Sequence, residues 1–201
     1  MDSIEYFKKN KYVFIPSLVS KDITEFIYNY LILKSCTNVD FSEGDQNKNT
    51  TPTPYLRYCY ADLVTETLTS ILLKPLSDVT QKKLIPTYSY TRVYTRGEIL
   101  KPHTDRSSCQ YSVTINFGGD PWSIYFGELN KGDDFDNGFS MLNEIVLKPG
   151  DGIIYMGEEL VHWRNEFKGD HCAQAFLHYI DENGPYFPEY AYDKRPNIGY
   201  K

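Results

Sequence analysis

The spacing of hydrophobic positions changes near residue 85 of the chain. Before it, two segments carry apolar residues at helical intervals, one beginning after Ser20, a residue suited to cap a helix, and one covering 61–73. Pro75 is expected to end or kink the second helix, because proline disrupts a helix interior. The apolar run 12–16 ends in proline and predicts one short strand. The first 84 residues are therefore predicted to be mainly helical.

After Pro86 the pattern becomes that of strands rich in β-branched and aromatic residues. The predicted strands cover about 87–95, 111–117, 122–126, 142–148, 152–156 and 172–180. Few residues separate them, most junctions carry turn-forming residues, and no long helix interrupts them. This order favours an antiparallel sandwich or barrel over alternating α/β units. The predicted fold class is mainly β with N-terminal helices.

Two further segments have distinct compositions. Residues 36–56 are rich in Asn, Thr, Asp and Pro, which predicts a loop longer than most connections, and such a loop is either a mobile lid or disordered. The tail 182–201 combines prolines with tyrosines and is expected to pack as irregular coil over the body or to stay loose. A length of 201 residues favours one domain, with 1–84 as helical support, 85–181 as the barrel and 182–201 as the tail.

Composition narrows the classes of function. The net charge of −6 argues against nucleic acid as a partner, because that affinity comes largely from Lys and Arg meeting phosphates. The four cysteines show no CxxC spacing and predict reduced thiols, neither a zinc site nor a disulfide framework. The N-terminus does not resemble a signal peptide, and no apolar run approaches membrane-spanning length. We therefore expect a soluble, cytoplasmic protein with no membrane partner, whose oligomeric state stays open.

The segment His103-Thr104-Asp105 carries the strongest chemical signal. Side chains two apart on a strand share one face, so His103 and Asp105 can act together, and His162 follows 57 positions after Asp105. Two imidazoles and one carboxylate can hold Fe(II) on one face and leave the opposite positions open. Among the other histidines, His171 is the local rival of His162 but follows Gly-Asp and is predicted to be a turn residue. His178 lies within a strand and is interpreted as a core residue outside the metal set.

The chain resembles the 2-oxoglutarate/Fe(II)-dependent oxygenases, and within them the prolyl 4-hydroxylase-like group. The matching pieces are Arg92-Val93-Tyr94-x-x-Gly97 before His103-x-Asp105, then Pro149-Gly150-Asp151-Gly152-Ile153-Ile154-Tyr155, then His162, and then the strand from Cys172 to Tyr179 with Asp181 after it. The resemblance covers roughly residues 85–181. It implies a double-stranded β-helix, a cupin-like jelly-roll barrel supported by two or three helices, with iron held by His103, Asp105 and His162.

The resemblance also implies an activity. Such an enzyme uses Fe(II), O₂ and 2-oxoglutarate, with ascorbate as an optional reductant, to hydroxylate an unactivated C–H bond. The leading substrate is a prolyl residue of a peptide or protein, or a free amino acid. This choice rests on analogy within the fold, and one scaffold serves many substrates.

The chain departs from the family pattern at one position. Members usually carry an Arg or Lys about nine or ten residues beyond the second His, where it binds the distal carboxylate of 2-oxoglutarate. This chain has His171 and Cys172 there, and neither is a fixed cation. Arg164 shares the side of His162 by strand alternation and is the first candidate for the role, against an ordinary ion pair with Glu166.

Tyr94 is the second candidate for contact with the co-substrate, since its hydroxyl can donate a hydrogen bond, and its alternative is a barrel-wall aromatic. Two other functions stay open. The missing late cation motivates a cupin-like metal enzyme that does not use 2-oxoglutarate. A non-catalytic barrel that binds a ligand in its aromatic cleft is the third hypothesis.

Overall fold

A computed structural model describes residues 2–36, 58–129 and 138–200. The helices are α1 (Ser3–Asn10), α2 (Lys21–Ser35) and α3 (Leu63–Thr80). The strands are β1 (Tyr12–Ile15), β2 (Tyr58–Tyr60), β3 (Leu84–Thr95), β4 (Leu100–His103), β5 (Tyr111–Gly119), β6 (Ile124–Leu129), β7 (Phe139–Ile145), β8 (Gly152–Met156), β9 (Val161–Arg164) and β10 (His171–Asp181). Apart from Cys36, the predicted loop 36–56, interpreted as a lid or as disordered, lies outside the described residues.

The strands form two antiparallel sheets. The larger has the order β1-β8-β5-β10-β3-β2, and the smaller has the order β4-β9-β6-β7. Aromatic contacts join the sheets: Phe126 of β6 lies 5.2 Å from Tyr12 of β1 and 5.1 Å from Tyr155 of β8, measured between ring centroids. This arrangement, with helices outside, confirms the predicted jelly-roll class.

The helices cover the outer face of the larger sheet. Odd-numbered residues of β10, including Ala175, Leu177 and Tyr179, belong to the hydrophobic core that α1, α2 and α3 share with the sheet. Because side chains alternate along a strand, the even-numbered residues of β10 point to the other sheet. One of them, Cys172, packs with Tyr94 and Trp122 in a separate interior cluster. The barrel interior therefore receives every second residue of β10.

Helix α3 shows how its sequence fixes its start and its length. The Asp62 carboxylate accepts hydrogen bonds from the backbone N–H groups of Val64 and Thr65, which caps the helix. The helix continues past Pro75 to Thr80, so, of the two expected effects of the proline, it does not end the helix. Leu76, fully buried in the core, anchors the turn that contains the proline, and this packing offsets the lost backbone hydrogen bond.

The tail packs over the body, as one of the two sequence-based alternatives expected. Arg195 donates to the Glu66 carboxylate at 3.0 Å, and Tyr60 donates to Asp193 at 2.6 Å. Asp193 also receives two hydrogen bonds of 2.9 Å from Arg106, the residue after the predicted ligand Asp105. No helix in the described part of the chain is both long and apolar enough to cross a membrane.

Candidate metal centre

Three predicted ligands converge between the two sheets. Strands β4 and β9 pair in antiparallel fashion and place His103 opposite His162. The Nε2 atoms of these histidines lie 3.6 and 3.5 Å from Oδ1 of Asp105, and the ligand atoms of the three residues lie within 4.8 Å of one another. The structure thus brings His162 next to Asp105, although 57 positions separate them in the sequence.

Backbone carbonyls orient both histidine rings. Nδ1 of His103 lies 2.8 Å from the carbonyl oxygen of Lys101, and Nδ1 of His162 lies 3.0 Å from that of Leu160. A carbonyl only accepts hydrogen bonds, so each ring carries its proton on Nδ1. The Nε2 lone pairs are then directed to the space beside Asp105. This is the outer-shell arrangement that fixes histidine ligands in metal sites.

The charge states of the site suit a divalent cation. Burial, together with the neighbouring His162, lowers the pKa of His103 to about 4, so the ring of His103 is neutral at pH 7. Burial would raise the pKa of Asp105, but the facing His162 and the other nearby histidines hold it well below its usual range. The carboxylate is therefore charged. Imidazole and carboxylate donors on one face fit Fe(II).

Asp105 occupies a closely fitted position. Its backbone N–H donates to the carbonyl of Gly157 at 2.7 Å, and the hydroxyl of Ser112 donates to its Oδ2 at 2.6 Å. A Cβ atom on Gly157 would lie 2.4 Å from that same Oδ2 and 2.5 Å from the carbonyl oxygen of Cys109. Glycine is thus the residue that allows the turn after β8 to approach the carboxylate.

Arg164 lies in the interior with most of its hydrogen-bonding capacity unused. Its side chain is 1% exposed, and its Nη1 donates to the carbonyl of Trp122 at 2.6 Å. Within the described ranges, its Nε and Nη2 have no hydrogen-bond partner. Burial lowers its pKa. Glu166 pairs instead with Lys168 at 2.7 Å, so the ion pair weighed from the sequence as an alternative role for Arg164 does not form.

Tyr94 is a close neighbour of Arg164. Its ring lies 4.8 Å from that of Trp122 in an edge-on arrangement, and the guanidinium of Arg164 lies 5.0 Å from the Trp122 ring. Burial raises the pKa of Tyr94 to about 12, although the charges of Arg92 and Arg164 oppose the increase. The hydroxyl is therefore protonated at neutral pH and can donate. The two residues predicted to contact the co-substrate share one interior cluster.

The structure separates the two histidines that were rivals for the third ligand position. Nε2 of His171 lies 2.7 Å from the hydroxyl of Tyr28 on α2, on the helix side of the larger sheet. It belongs to neither group of residues in the described chain that could hold a metal ion. The preference for His162 agrees with this placement.

His178, interpreted from the sequence as a core residue, lies directly behind the centre. Its Nδ1 is 2.9 Å from the hydroxyl oxygen of Ser112, which also contacts Asp105, and its ring lies 4.5 Å from that of Tyr88. Asp105, Cys109 and His178 form a second group with metal-ligand spacing. It is not a separate site, because it shares Asp105 and because Cys109 and His178 already have partners in Tyr88 and Ser112.

Sequence reasoning missed Ser112 and His178, although a signal was present. His178 and Cys172 are an even number of residues apart in the predicted strand 172–180. Because side chains alternate along a strand, the two residues share one face, which is the interior face. Ser112 lies at the start of the predicted strand 111–117. Their contact depends on the register between β5 and β10, in which the two residues are directly paired.

No protein-family model and no curated protein matches the chain. Among solved structures, HygX from Streptomyces hygroscopicus with nickel and 2-oxoglutarate bound has a TM-score of 0.60 at 18% identity, covering 90% of this chain and 87% of that one. A Pseudomonas putida prolyl-4-hydroxylase gives 0.58 at 8%, covering 89% and 97%. The α-ketoglutarate-dependent epimerase SnoN from nogalamycin biosynthesis gives 0.64 at 11%, covering 89% and 79%.

These similarities establish the fold. All three structures match over most of this chain. HygX was solved with 2-oxoglutarate bound, and SnoN depends on the same compound, also called α-ketoglutarate. The resemblance inferred from the sequence motifs is therefore confirmed as a similarity of fold to the 2-oxoglutarate/Fe(II) oxygenases.

Proposed function

We propose that the protein is an Fe(II)- and 2-oxoglutarate-dependent dioxygenase that hydroxylates an unactivated C–H bond. His103, Asp105 and His162 hold the iron, and Arg164 binds the distal carboxylate of 2-oxoglutarate. The single observation that carries the proposal is the buried guanidinium of Arg164, whose Nε and Nη2 have no partner among the described residues. It lies beside a centre of two histidines and one carboxylate.

An unpaired guanidinium in a protein interior demands an explanation. Each buried donor left without a partner costs about 1–3 kcal/mol, and removing a charge from water costs several kcal/mol more. A carboxylate that accepts two parallel hydrogen bonds from the guanidinium compensates both costs. No described acidic residue forms an ion pair with Arg164. A bound dicarboxylate supplies the missing partner.

The position of Arg164 suits a short co-substrate. His162 and Arg164 lie two residues apart on β9, both buried, and they share a face of the strand. At about 3.4 Å per residue their backbone positions are separated by about 7 Å, a span that a five-carbon diacid can bridge. The cation thus lies on the same strand as a ligand, instead of on β10 as in the family pattern.

The protein's contribution is placement and exclusion of water. When bound, iron with 2-oxoglutarate and O₂ supplies the oxidation of the C–H bond. His103, Asp105 and His162 would hold the metal and would leave coordination positions to the co-substrates. Arg164 and the protonated hydroxyl of Tyr94 orient 2-oxoglutarate, and Trp122 helps to close the interior around them.

For the substrate, we propose a prolyl residue in a peptide or protein, or a free amino acid. The prolyl-4-hydroxylase among the compared structures supports the first choice. HygX, also solved with hygromycin B bound, and the epimerase show that a similar barrel accommodates small molecules as well. The acidic charge of the chain favours a basic peptide over a nucleic acid.

The test is co-substrate binding and turnover by protein reconstituted anaerobically with Fe(II). We expect 2-oxoglutarate to produce a visible charge-transfer absorption, and O₂ with ascorbate to yield succinate. His103→Ala should abolish both signals, whereas His171→Ala, which removes a histidine held by Tyr28, should retain them. Comparing turnover with and without ascorbate shows whether the reductant is needed.

The other outcomes identify the rival functions. A wild-type protein that binds Fe(II) but not 2-oxoglutarate supports the cupin-like enzyme, and one that binds no metal supports the non-catalytic barrel. Once turnover is established, proline-containing peptides and free amino acids should be compared by their stimulation of succinate release. Stimulation by neither contradicts the substrate proposal alone.

A further inference from the structure

A chain of hydrogen bonds runs from β10 through β5 to the carboxylate ligand. The hydroxyl oxygen of Ser112 lies 2.9 Å from Nδ1 of His178 and 2.6 Å from Oδ2 of Asp105. It also lies 3.3 Å from the carbonyl oxygen of Cys109, a longer contact. Ser112 and His178 are buried, and the side chain of Asp105 is 14% exposed.

The direction of the protons follows from the chemistry of the partners. A carboxylate only accepts, so the single hydroxyl proton of Ser112 is donated to Oδ2 of Asp105. The serine oxygen can then only accept from His178, which requires the proton of that ring to be on Nδ1. The chain therefore runs in one direction, from imidazole N–H to hydroxyl to carboxylate.

We propose that Ser112 and His178 are positioning residues that hold Asp105 by Oδ2 and present only Oδ1 to the metal. This inference rests on the proposed function of the centre. Oδ1 is the oxygen that lies 3.5 Å from Nε2 of His162 and 3.6 Å from Nε2 of His103. A carboxylate that used both oxygens would occupy a coordination position that the co-substrates need.

The fold fixes this pair rigidly. Ser112 and His178 are directly opposite each other in the register of β5 and β10. The ring of His178 packs at 4.5 Å against that of Tyr88 on β3, so it has little freedom to turn. The carbonyl of Gly157 holds the backbone N–H of Asp105 at 2.7 Å on the other side. Asp105 is thus restrained at its backbone and at Oδ2, the carboxylate oxygen that Ser112 binds.

The experiment measures Co(II) affinity and the Co(II) absorption spectrum of the intact chain in the absence of 2-oxoglutarate. Ser112→Ala and His178→Phe each remove one link, and the phenyl ring preserves the packing against Tyr88. We expect affinity to fall about 10- to 100-fold in both variants, as outer-shell substitutions do, with an altered spectrum. Ser112→Thr keeps the hydroxyl and should restore both properties.

Ser89→Ala is the matched control. It removes a buried hydroxyl whose partner is Thr65, 2.8 Å away on the helix side of the sheet, and it should leave affinity and spectrum unchanged. Thermal unfolding of the metal-free variants separates loss of fold from loss of positioning. If Ser112→Ala fails to fold, His178→Phe and Ser112→Thr still decide the question.

Failure of this inference is distinguishable from failure of the proposed function. A wild-type protein that does not bind Co(II) contradicts the metal centre itself. Wild-type binding that persists with the same affinity and spectrum in folded Ser112→Ala and His178→Phe overturns the positioning role and leaves the centre intact.

Discussion

Replacing Arg164 with methionine should weaken 2-oxoglutarate binding without weakening the fold. Methionine is long and flexible enough to fill much of the space of the arginine stem. The substitution removes the guanidinium, whose Nε and Nη2 have no partner among the described residues. It also removes the hydrogen bond from Nη1 to the Trp122 carbonyl. The two effects on stability therefore oppose each other.

The magnitudes of these two effects decide the sign of the expected change in stability. Loss of the bond to Trp122 costs about 0.5–1.5 kcal/mol, or somewhat more for a charged donor, whereas the two unpaired donors each cost the native state about 1–3 kcal/mol. The ligand-free variant should therefore be as stable as the wild type or more stable. For the co-substrate, two charge-assisted hydrogen bonds contribute at least about 3 kcal/mol, so its Kd should rise by about 100-fold or more.

The assay is anaerobic titration of the Fe(II) protein with 2-oxoglutarate, paired with urea unfolding of the ligand-free protein. Arg96→Met is the control, because Arg96 is exposed and pairs with Asp170, and it should change neither result. Arg164→Lys keeps a charge but loses the planar fork and should give an intermediate Kd. Wild-type affinity in Arg164→Met, or a large loss of ligand-free stability, would refute the reasoning.

Three further predictions concern the centre and its support. Gly157→Ala should lower Co(II) affinity, because the new Cβ would lie 2.4 Å from Oδ2 of Asp105, and unchanged affinity in a calorimetric titration would contradict the close fit. Burial lowers the pKa of His178 to about 4, so between pH 6.5 and 4 the unfolded chain binds a proton that the folded chain does not. This histidine should therefore destabilise the metal-free protein by about 1.4 kcal/mol per pH unit on acidification, and urea unfolding of His178→Phe at pH 7 and pH 5 should show a smaller loss. Asp62→Ala removes the cap of α3 and the ion-pair partner of Lys34, so the free energy of unfolding should fall by about 2–4 kcal/mol. Asp62→Asn should give an intermediate value. A change within experimental error would contradict both roles of Asp62.

Part of the candidate metal centre could be located from the sequence because its signal is local. His103 and Asp105 are two residues apart, and strand alternation alone places them on one face. The long strands were also predictable, since β3, β5 and β10 contain enough residues for their composition and alternation to be visible. Strands β4 and β9 were not among the predicted strands, because each has only four residues and neither is a continuous apolar run like β1.

What the sequence left open depends on contacts between distant segments. The ion pair between Arg164 and Glu166, which the sequence left open, does not form because Glu166 pairs with Lys168. The contact of Ser112 with His178 requires the register of two strands separated by more than fifty residues. Pro75 was expected to end or kink α3, and the helix does not end there, because the core packing around Leu76 outweighs the local preference of proline.

Placing the cation on β9 changes how the site is built. Under the proposed function, one four-residue strand carries both the metal ligand His162 and the carboxylate-binding Arg164, so the distance between them is set by the strand and not by packing between two strands. The position where the family pattern expects the cation holds Cys172, which is fully buried in a cluster with Tyr94 and Trp122. The Trp122 carbonyl and ring hold the guanidinium of Arg164 from one side. Under the proposed function, Nε and Nη2 of Arg164 are thereby left for one ligand, and the cation that the sequence lacks on β10 is supplied from the facing sheet.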